Sequence, residues 1–358
     1  METLGLTPEF WRERSVLITG HTGFKGGWLA LWLHKLGARI AGYALPPPTT
    51  PSLFELADIA RNIVHQVGDI RNYDQLLKTC QSQAPEIIFH LAAQPLVRKS
   101  YSAPLETIAT NVLGTAHVLE AARNTPSVRA VVIVSSDKCY ENHAWPWGYR
   151  ESDRLGGDDP YSASKACTEL ITAAWRSSYW LSEDAPLVGS ARAGNVIGGG
   201  DWAQDRLIPD LVHAALSNQP ALVRNPAAVR PWQHVLEPLA GYLALGARLL
   251  EGERRFASAW NFGPALQDMQ PVSAVCNTFC LVHGGRWLAD GSNHPTEAAV
   301  LRLDNSHAVL NLRWRPRWPL SRALDATSEW YKRVAAGEDA YSLTLEQIDA
   351  YQADGETQ

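Results

Sequence analysis

Short apolar runs recur along the first half of the chain, and helical spacing follows each of them. Ser15–Thr19, Arg39–Ala44, Ile63–Val67, Glu86–Leu91, Val128–Ser135 and Leu187–Ala191 read as strands. Gly26–Leu36, Tyr73–Gln83, Leu105–Thr125 and Ser162–Tyr179 carry apolar residues three and four apart and read as helices. The strands are nearly continuous in their apolar residues, as expected when both faces are covered. This alternation predicts an α/β fold with a Rossmann-type doubly wound parallel sheet. Pro46-Pro47-Pro48-Thr49-Thr50-Pro51 cannot continue a helix or a central strand, so a loop follows the second strand.

The rhythm changes after about Gly194. Gly198-Gly199-Gly200 makes a turn, Asp205 to Leu216 has helical spacing, and Arg230-Pro231-Trp232 reads as an extended crossing. His234 to Leu250 resumes a core helix. Short helices and strands mix from Pro264 onward, with an amphipathic helix around Leu320–Val334. The expected organisation is a sheet domain over residues 1–194, to which 235–262 return. Residues 195–234 and 263–358 would form a smaller mixed α/β lobe. Ligands of open α/β sheets bind beyond the carboxyl ends of the strands, so this lobe would close over that edge.

Composition narrows the function classes. With 358 residues, 46% of them hydrophobic and 19% charged, the chain has an ordinary globular make-up. A net charge of -5 argues against a general nucleic-acid surface, so an anionic ligand would need local arginines. Five scattered cysteines point to buried thiols and no metal site, although Cys276 and Cys280 have helical spacing. The first residues lack the basic-then-apolar pattern of a signal peptide. The apolar helix near Leu236 to Leu250 holds Glu237 and Arg248 and is too short for a bilayer. A reducing, cytoplasmic compartment and no membrane partner are therefore expected. The 14 tryptophans are expected to fill core and inter-lobe space.

The candidate chemistry begins right after the first strand. Thr19-Gly20-His21-Thr22-Gly23-Phe24-Lys25-Gly26 places Gly20, Gly23 and Gly26 where a strand turns into a helix. Glycines there permit a tight turn and let a pyrophosphate approach the N–H groups of a helix N-terminus. No Asp, Glu or Arg follows the second strand at Gly42-Tyr43-Ala44-Leu45-Pro46, so that position does not choose between NAD and NADP. Asp69, in Gly68-Asp69-Ile70, suits an adenine amino group or, equally, the N-cap of the helix at Tyr73. Leu91-Ala92-Ala93-Gln94 leaves small residues where a cofactor backbone must pass.

Tyr161-Ser162-Ala163-Ser164-Lys165 puts a phenol and an ammonium on adjacent turns of one helix face. A fixed positive charge nearby favours the phenolate and would let Tyr161 accept a proton. Ser136-Asp137-Lys138 adds an acid and a second base, which simple hydride transfer does not need.

Taken in order, these motifs resemble the extended short-chain dehydrogenase/reductase family, from the first strand to near the C-terminus. Asn111-Val112-Leu113-Gly114-Thr115 and Asn261-Phe262-Gly263-Pro264 fall in register with it. Ser136-Asp137-Lys138 resembles the dehydratase form of that active site. Sugar-nucleotide 4,6-dehydratases usually have Thr-Asp-Glu there, so Lys138 departs from the pattern. Trp147-Gly148-Tyr149-Arg150-Glu151, Arg192 to Trp202 and Arg230-Pro231-Trp232-Gln233-His234-Val235 carry the resemblance into the lobe. It implies bound NAD, a cytidine diphosphate sugar (CDP-glucose) as substrate, a homodimer, and a place in making deoxy sugars for O-antigen or lipopolysaccharide.

The resemblance also implies roles. Gly20, His21, Thr22, Gly23, Phe24, Lys25, Gly26, Asp69, Ile70, Leu91, Ala92, Ala93 and Asn111 would hold the cofactor together with Tyr161 and Lys165. Tyr161 would take the C4-hydroxyl proton, Ser136 would bond the same oxygen, and Asp137, protonated by burial, would protonate the departing 6-hydroxyl. Lys138 would be either the C5 base, if neutral, or a charged support for the enolate and for Asp137. Arg206 and Arg230 are the first candidates for the diphosphate, with Asn195. Gln94, Arg98, Leu207, His234 and His294 complete the expected substrate contacts. The competing readings are a dehydratase or 4-epimerase for another nucleotide sugar, and a non-catalytic NAD-binding sensor.

Overall fold

The structure is a computed structural model that describes residues 6–292 and 298–356. Seven strands form one sheet: β1 Ser15–Thr19, β2 Arg39–Ala44, β3 Val64–Val67, β4 Ile87–His90, β5 Ala130–Val134, β6 Leu187–Ala193 and β7 Ala259–Phe262. Their order is β7-β6-β5-β4-β1-β2-β3, and every neighbouring pair is parallel. The chain reverses direction of winding between β1 and β4, which opens a crevice at their carboxyl ends.

Alternate residues of each strand feed two cores. Val16, Ile18, Ile87, Phe89 and Val132 pack with Trp28–Leu33 of α1 (Phe24–Lys35) on one face. Leu17, Ile88, Val131 and Ile133 pack on the other face with Leu76 of α2 (Tyr73–Gln83). After the short α3 (Val97–Ser102) comes α4, which runs through Pro104–Ile108, a π-helical turn at Ala109–Leu113, and Gly114–Arg123. Helix α4 covers that second face with α5 (Pro160–Ser178). A continuous helix over Leu105–Thr125 is expected from sequence; the π turn departs from it for a visible reason. Asn111 sits in that turn, its Oδ1 accepting from Gln94 N at 2.8 Å, its Nδ2 donating to Gln94 O at 3.1 Å and Ser164 Oγ at 2.8 Å. The i→i+5 bonding of that turn takes in one extra residue, and Asn111 within it bridges Gln94 and Ser164.

The second half of the chain continues with α6 (Leu207–Leu216), α7 (Leu236–Leu250) and α8 (Val272–His283), then α9 (Leu320–Ala335) and α10 (Ala340–Glu356). Helix α7 packs on β5 and β6, and β7 extends the sheet next to β6. Three two-stranded sheets lie outside: Val196–Ile197 with Gln233–His234, Val229–Pro231 with Met269–Pro271, and Pro220–Val223 with Arg286–Ala289. Helix α6 starts two residues later than its spacing suggests, because Asp205 takes a left-handed backbone conformation (φ 63). Helix α10 has no counterpart in the apolar pattern. Its buried face mixes Leu343, Ile348 and Tyr351 with Thr344 and Gln347, so no clean apolar stripe advertises it. Trp11, Trp28, Trp32, Trp260 and Trp330 are fully enclosed, which accounts for much of the tryptophan content.

Candidate active site

A cavity of about 1080 Å³ opens along the carboxyl ends of the strands and runs beneath the lobe segments. One arm follows the turn from β1 into α1. Gly20 has φ 81, and a Cβ there would stand 2.6 Å from Ala92 N, so only glycine lets β1 and β4 end this close together. A Cβ on Gly26 would run into the Gly20 carbonyl. Thr22, Gly23, Phe24, Lys25, Asp69, Ile70, Leu91, Ala92, Ala93 and Gln94 line the same arm. The cradle fits a dinucleotide pyrophosphate: close backbone, no side chain in the way, and a helix N-terminus capped by Gly23.

The charges agree with that fit. Burial, with Arg206 and Lys165 nearby, pushes the Lys25 ammonium down to about 7. Lys165 falls to about 8 through burial, with Glu169 opposing. Such crowded cations are relieved by an incoming anion. Asp69 is not the N-cap of α2, because Asn72 fills that position and accepts from Gln75 N at 3.1 Å. The Asp69 carboxylate instead accepts from Arg71 Nε at 2.9 Å and lines the cavity.

The centre of the cavity is built by β5 and α5. After β5, Ser136 caps a short 3-10 turn Asp137–Cys139, its Oγ accepting from Lys138 N at 3.2 Å and donating to Asp137 Oδ1 at 3.0 Å. Asp159 caps α5 by accepting from Ser162 N at 2.9 Å, so Tyr161 falls in the first turn with Lys165 one turn on. Ser136, Asp137, Lys138, Tyr161 and Lys165 all face the cavity. Burial raises the Asp137 carboxyl, with the Lys138 charge opposing. Its Oδ2 is enclosed without a hydrogen-bond partner. Tyr161 departs from the sequence expectation. Burial pushes its phenol up to about 12, outweighing the Ser136 hydroxyl and the Arg206 charge. The ligand-free site therefore holds a protonated Tyr161.

The network behind these residues was readable in the spacing yet absent from the sequence expectations. Glu169 lies one helical turn beyond Lys165. It pairs with Arg192 at 2.9 Å, both side chains almost wholly enclosed, and accepts from Ser190 Oγ at 2.6 Å and from Ser135 Oγ. This ties α5 to the ends of β5 and β6.

The second arm runs under the lobe. Asn195, Arg206, Leu207, Arg230 and Arg98 line it, as does Arg224, which sequence reasoning passed over. Asp201 holds Arg206 at 2.8 Å. Three expected contacts are not brought to the cavity wall. Asn111 braces the Gln94 loop as described. His21 packs behind the glycine turn, its Nε2 2.7 Å from His65 Nδ1 and its pKa pushed down to about 3 by burial. His234 is fully enclosed between Trp28 and Trp318, with ring centroids 5.7 and 4.9 Å away. His294 lies outside the described residues.

Sheet order, glycine cradle and the Tyr161–Lys165 helix together define a Rossmann-type enzyme of the short-chain dehydrogenase/reductase kind. The sequence profile of the GDP-mannose 4,6 dehydratase family matches residues 17–245. The chain belongs to that family. It is 47% identical over 348 residues to a CDP-glucose 4,6-dehydratase of Salmonella typhimurium, covering 96% of this chain and 97% of the relative. A dTDP-glucose 4,6-dehydratase of Xanthomonas campestris is 27% identical over 88% of the chain and 92% of its own length. Among solved structures, MoeE5 in complex with UDP-glucose and NAD superposes with a TM-score of 0.75 at 26% identity, covering 90% of this chain and 99% of its own. The epimerase Mth375 of Methanothermobacter thermautotrophicus reaches 0.79 at 23% identity over 94% and 98%, a likeness of fold.

Proposed function

We propose that this chain is an NAD-dependent 4,6-dehydratase that converts CDP-glucose to CDP-4-keto-6-deoxyglucose and water. The observation that carries the reading is Asp137. Its carboxyl is enclosed, raised by burial, and left with an unpartnered oxygen in the wall that also holds Tyr161. A 4-epimerase needs the Tyr–Lys pair but has no use for an enclosed acid. The 47% identical relative supplies the choice of nucleotide sugar.

Bound NAD supplies a reversible hydride acceptor. Gly20, Gly23 and Gly26 would seat its pyrophosphate, with Lys25 near the same negative charge. Tyr161 takes the proton of the C4 hydroxyl, while Ser136 holds that oxygen. Because burial and the Asp137 charge hold the phenol up, Tyr161 would have to release its own proton before this step, which the Arg206 charge and the Ser136 hydroxyl favour. With C4 a ketone, the C5 hydrogen becomes acidic. Lys138 serves this side of the sugar, as the base or as the cation that steadies the enolate. Asp137 gives its proton to the departing 6-hydroxyl. Arg206, Arg230 and Asn195 would hold the diphosphate.

The test is to incubate the protein with CDP-glucose carrying deuterium at C4, mixed with unlabelled substrate. The 4-keto product is followed by its absorbance in alkali and by mass. Deuterium at C6 without crossover between molecules supports the proposal. A C4 epimer, or loss of the label to solvent, rejects it. A second copy of the chain is proposed to cover α4 and α5, which expose Leu105 (84%), Leu113, Leu170 and Tyr179. Light scattering at micromolar concentration should give a dimer.

A further inference from the structure

The mouth of the cavity carries a charge cluster that the chemistry above leaves unused. Asp205 stands in the left-handed backbone region at φ 63. Its Oδ1 accepts from Arg98 Nη1 at 2.8 Å and from Arg224 Nη1 at 2.6 Å. Arg224 Nη2 also donates to the Asp205 carbonyl at 3.2 Å. Arg98 comes from α3, which follows β4 of the main sheet. Asp205 and Arg224 come from the lobe segments, just before α6 and just after Pro220–Val223. One carboxylate thus joins a guanidinium from the sheet domain to one from the lobe segments, and all three residues line the cavity.

The arrangement differs from the neighbouring pair of Asp201 and Arg206. Asp201 is buried, its Oδ1 accepts from Ala203 N at 3.2 Å, and its carbonyl accepts from Tyr331. That pair is built in. The Asp205 and Arg98 side chains are 36% and 42% exposed, and ion pairs so open to water contribute little to stability. A diphosphate offers more charge than a carboxylate and oxygens that suit guanidinium forks.

We propose that Asp205 is a placeholder anion, occupying Arg98 and Arg224 in the ligand-free enzyme and yielding them to the diphosphate of the nucleotide sugar. Sheet domain and lobe segments are then drawn together on the ligand itself. The inference rests on the nucleotide-diphosphate reading above and makes Arg224 a further substrate-binding residue beside Arg98.

Asp205→Asn tests it. Asparagine tolerates the left-handed region and keeps the side-chain shape while removing the competing charge. Inorganic pyrophosphate and CDP are titrated calorimetrically into the full-length protein and the variant, whose melting temperatures are compared first. Both ligands should bind about five- to tenfold tighter to Asp205→Asn at low salt, the effect of removing one negative charge about 5 Å from the ligand. The gain should shrink in about 0.5 M salt. In the otherwise native protein, Arg98→Gln should weaken pyrophosphate binding by about the same factor. Weaker binding to Asp205→Asn would mean the clasp must stay closed to hold the ligand, and would overturn the proposal. Unchanged binding to either variant would mean the ligand never reaches these arginines, and would overturn it too. Pyrophosphate binding needs no turnover, so failure here is separate from failure of the CDP-glucose assay.

Discussion

Glu237 offers a quantitative test of how the C-terminal part of the chain is held. It is fully enclosed at the start of α7. Its carboxylate accepts from Trp318 N at 2.7 Å, Arg317 N at 3.0 Å and Tyr351 Oη at 2.8 Å, which fastens α10 and the segment before α9 to the core. Burial nevertheless dominates and pushes the carboxyl up from its ordinary 4.5 to about 7, with those three hydrogen bonds opposing. The sign follows directly. Below pH 4.5 both folded and unfolded chains hold the proton, so the term is absent. As pH rises to 7 the unfolded chain ionises freely while the buried group cannot, and the fold loses stability throughout that window.

The gap from 4.5 to about 7 corresponds to about 3.4 kcal/mol at about 1.36 kcal/mol per pH unit. About 2 kcal/mol of it falls between about pH 5.5 and 8.5, or about 3 °C in Tm for a chain of this size. Wild type also contains His21, His90 and His234, buried neutral with pKa values pushed to about 3, which work in the opposite direction at acid pH. The difference between wild type and Glu237→Gln cancels those groups. Glutamine keeps an oxygen for the Trp318 N–H and a donor for the Tyr351 oxygen. The variant should therefore gain on wild type by about 2 kcal/mol from about pH 5.5 to 8.5 in urea unfolding. Parallel pH curves for the two proteins would refute the argument, because they would show that Glu237 does not titrate differently in the folded state.

Tyr161→Phe removes one hydroxyl at constant ring size; turnover should drop about 10²–10⁴-fold while CDP binding by calorimetry stays near wild type. Lys165 loses its charge as pH rises through about 8, so kcat should fall on the alkaline side with an apparent pKa near that value, and Lys165→Met should abolish the limb along with most activity. A pH profile flat from 7 to 9.5 would count against it. Lys138→Met should lower turnover about 10²–10⁴-fold. Loss of solvent exchange at C5 of the substrate in that variant assigns proton removal to Lys138, whereas retained exchange assigns it to holding the enolate. Unchanged turnover would remove Lys138 from the reaction.

What the sequence made legible, and what it hid, follows from how far each signal reaches. The glycine turn, Ser136 to Lys138 and the Tyr161–Lys165 pair are local: each motif sits on the element that positions it, so the cavity wall could be read from the strand–helix rhythm. Contacts that depend on distant segments were not legible. His234 stands within a motif yet points into an aromatic cage made with Trp28 and Trp318, residues far apart in the chain. Asp205 reads as the first residue of a helix until Arg98 and Arg224 are seen to reach it from 107 and 19 residues away. The Tyr161 phenol shows the same limit in energetic form. Helical spacing places Lys165 one turn away, but the cost of burial is set by everything that closes over the ring, and here it exceeds the help from the Ser136 hydroxyl and the Arg206 charge. Spacing can therefore nominate a catalytic group, while its protonation state belongs to the assembled cavity. Here burial holds the Lys25 and Lys165 ammoniums below their ordinary range, and an anionic ligand would relieve both.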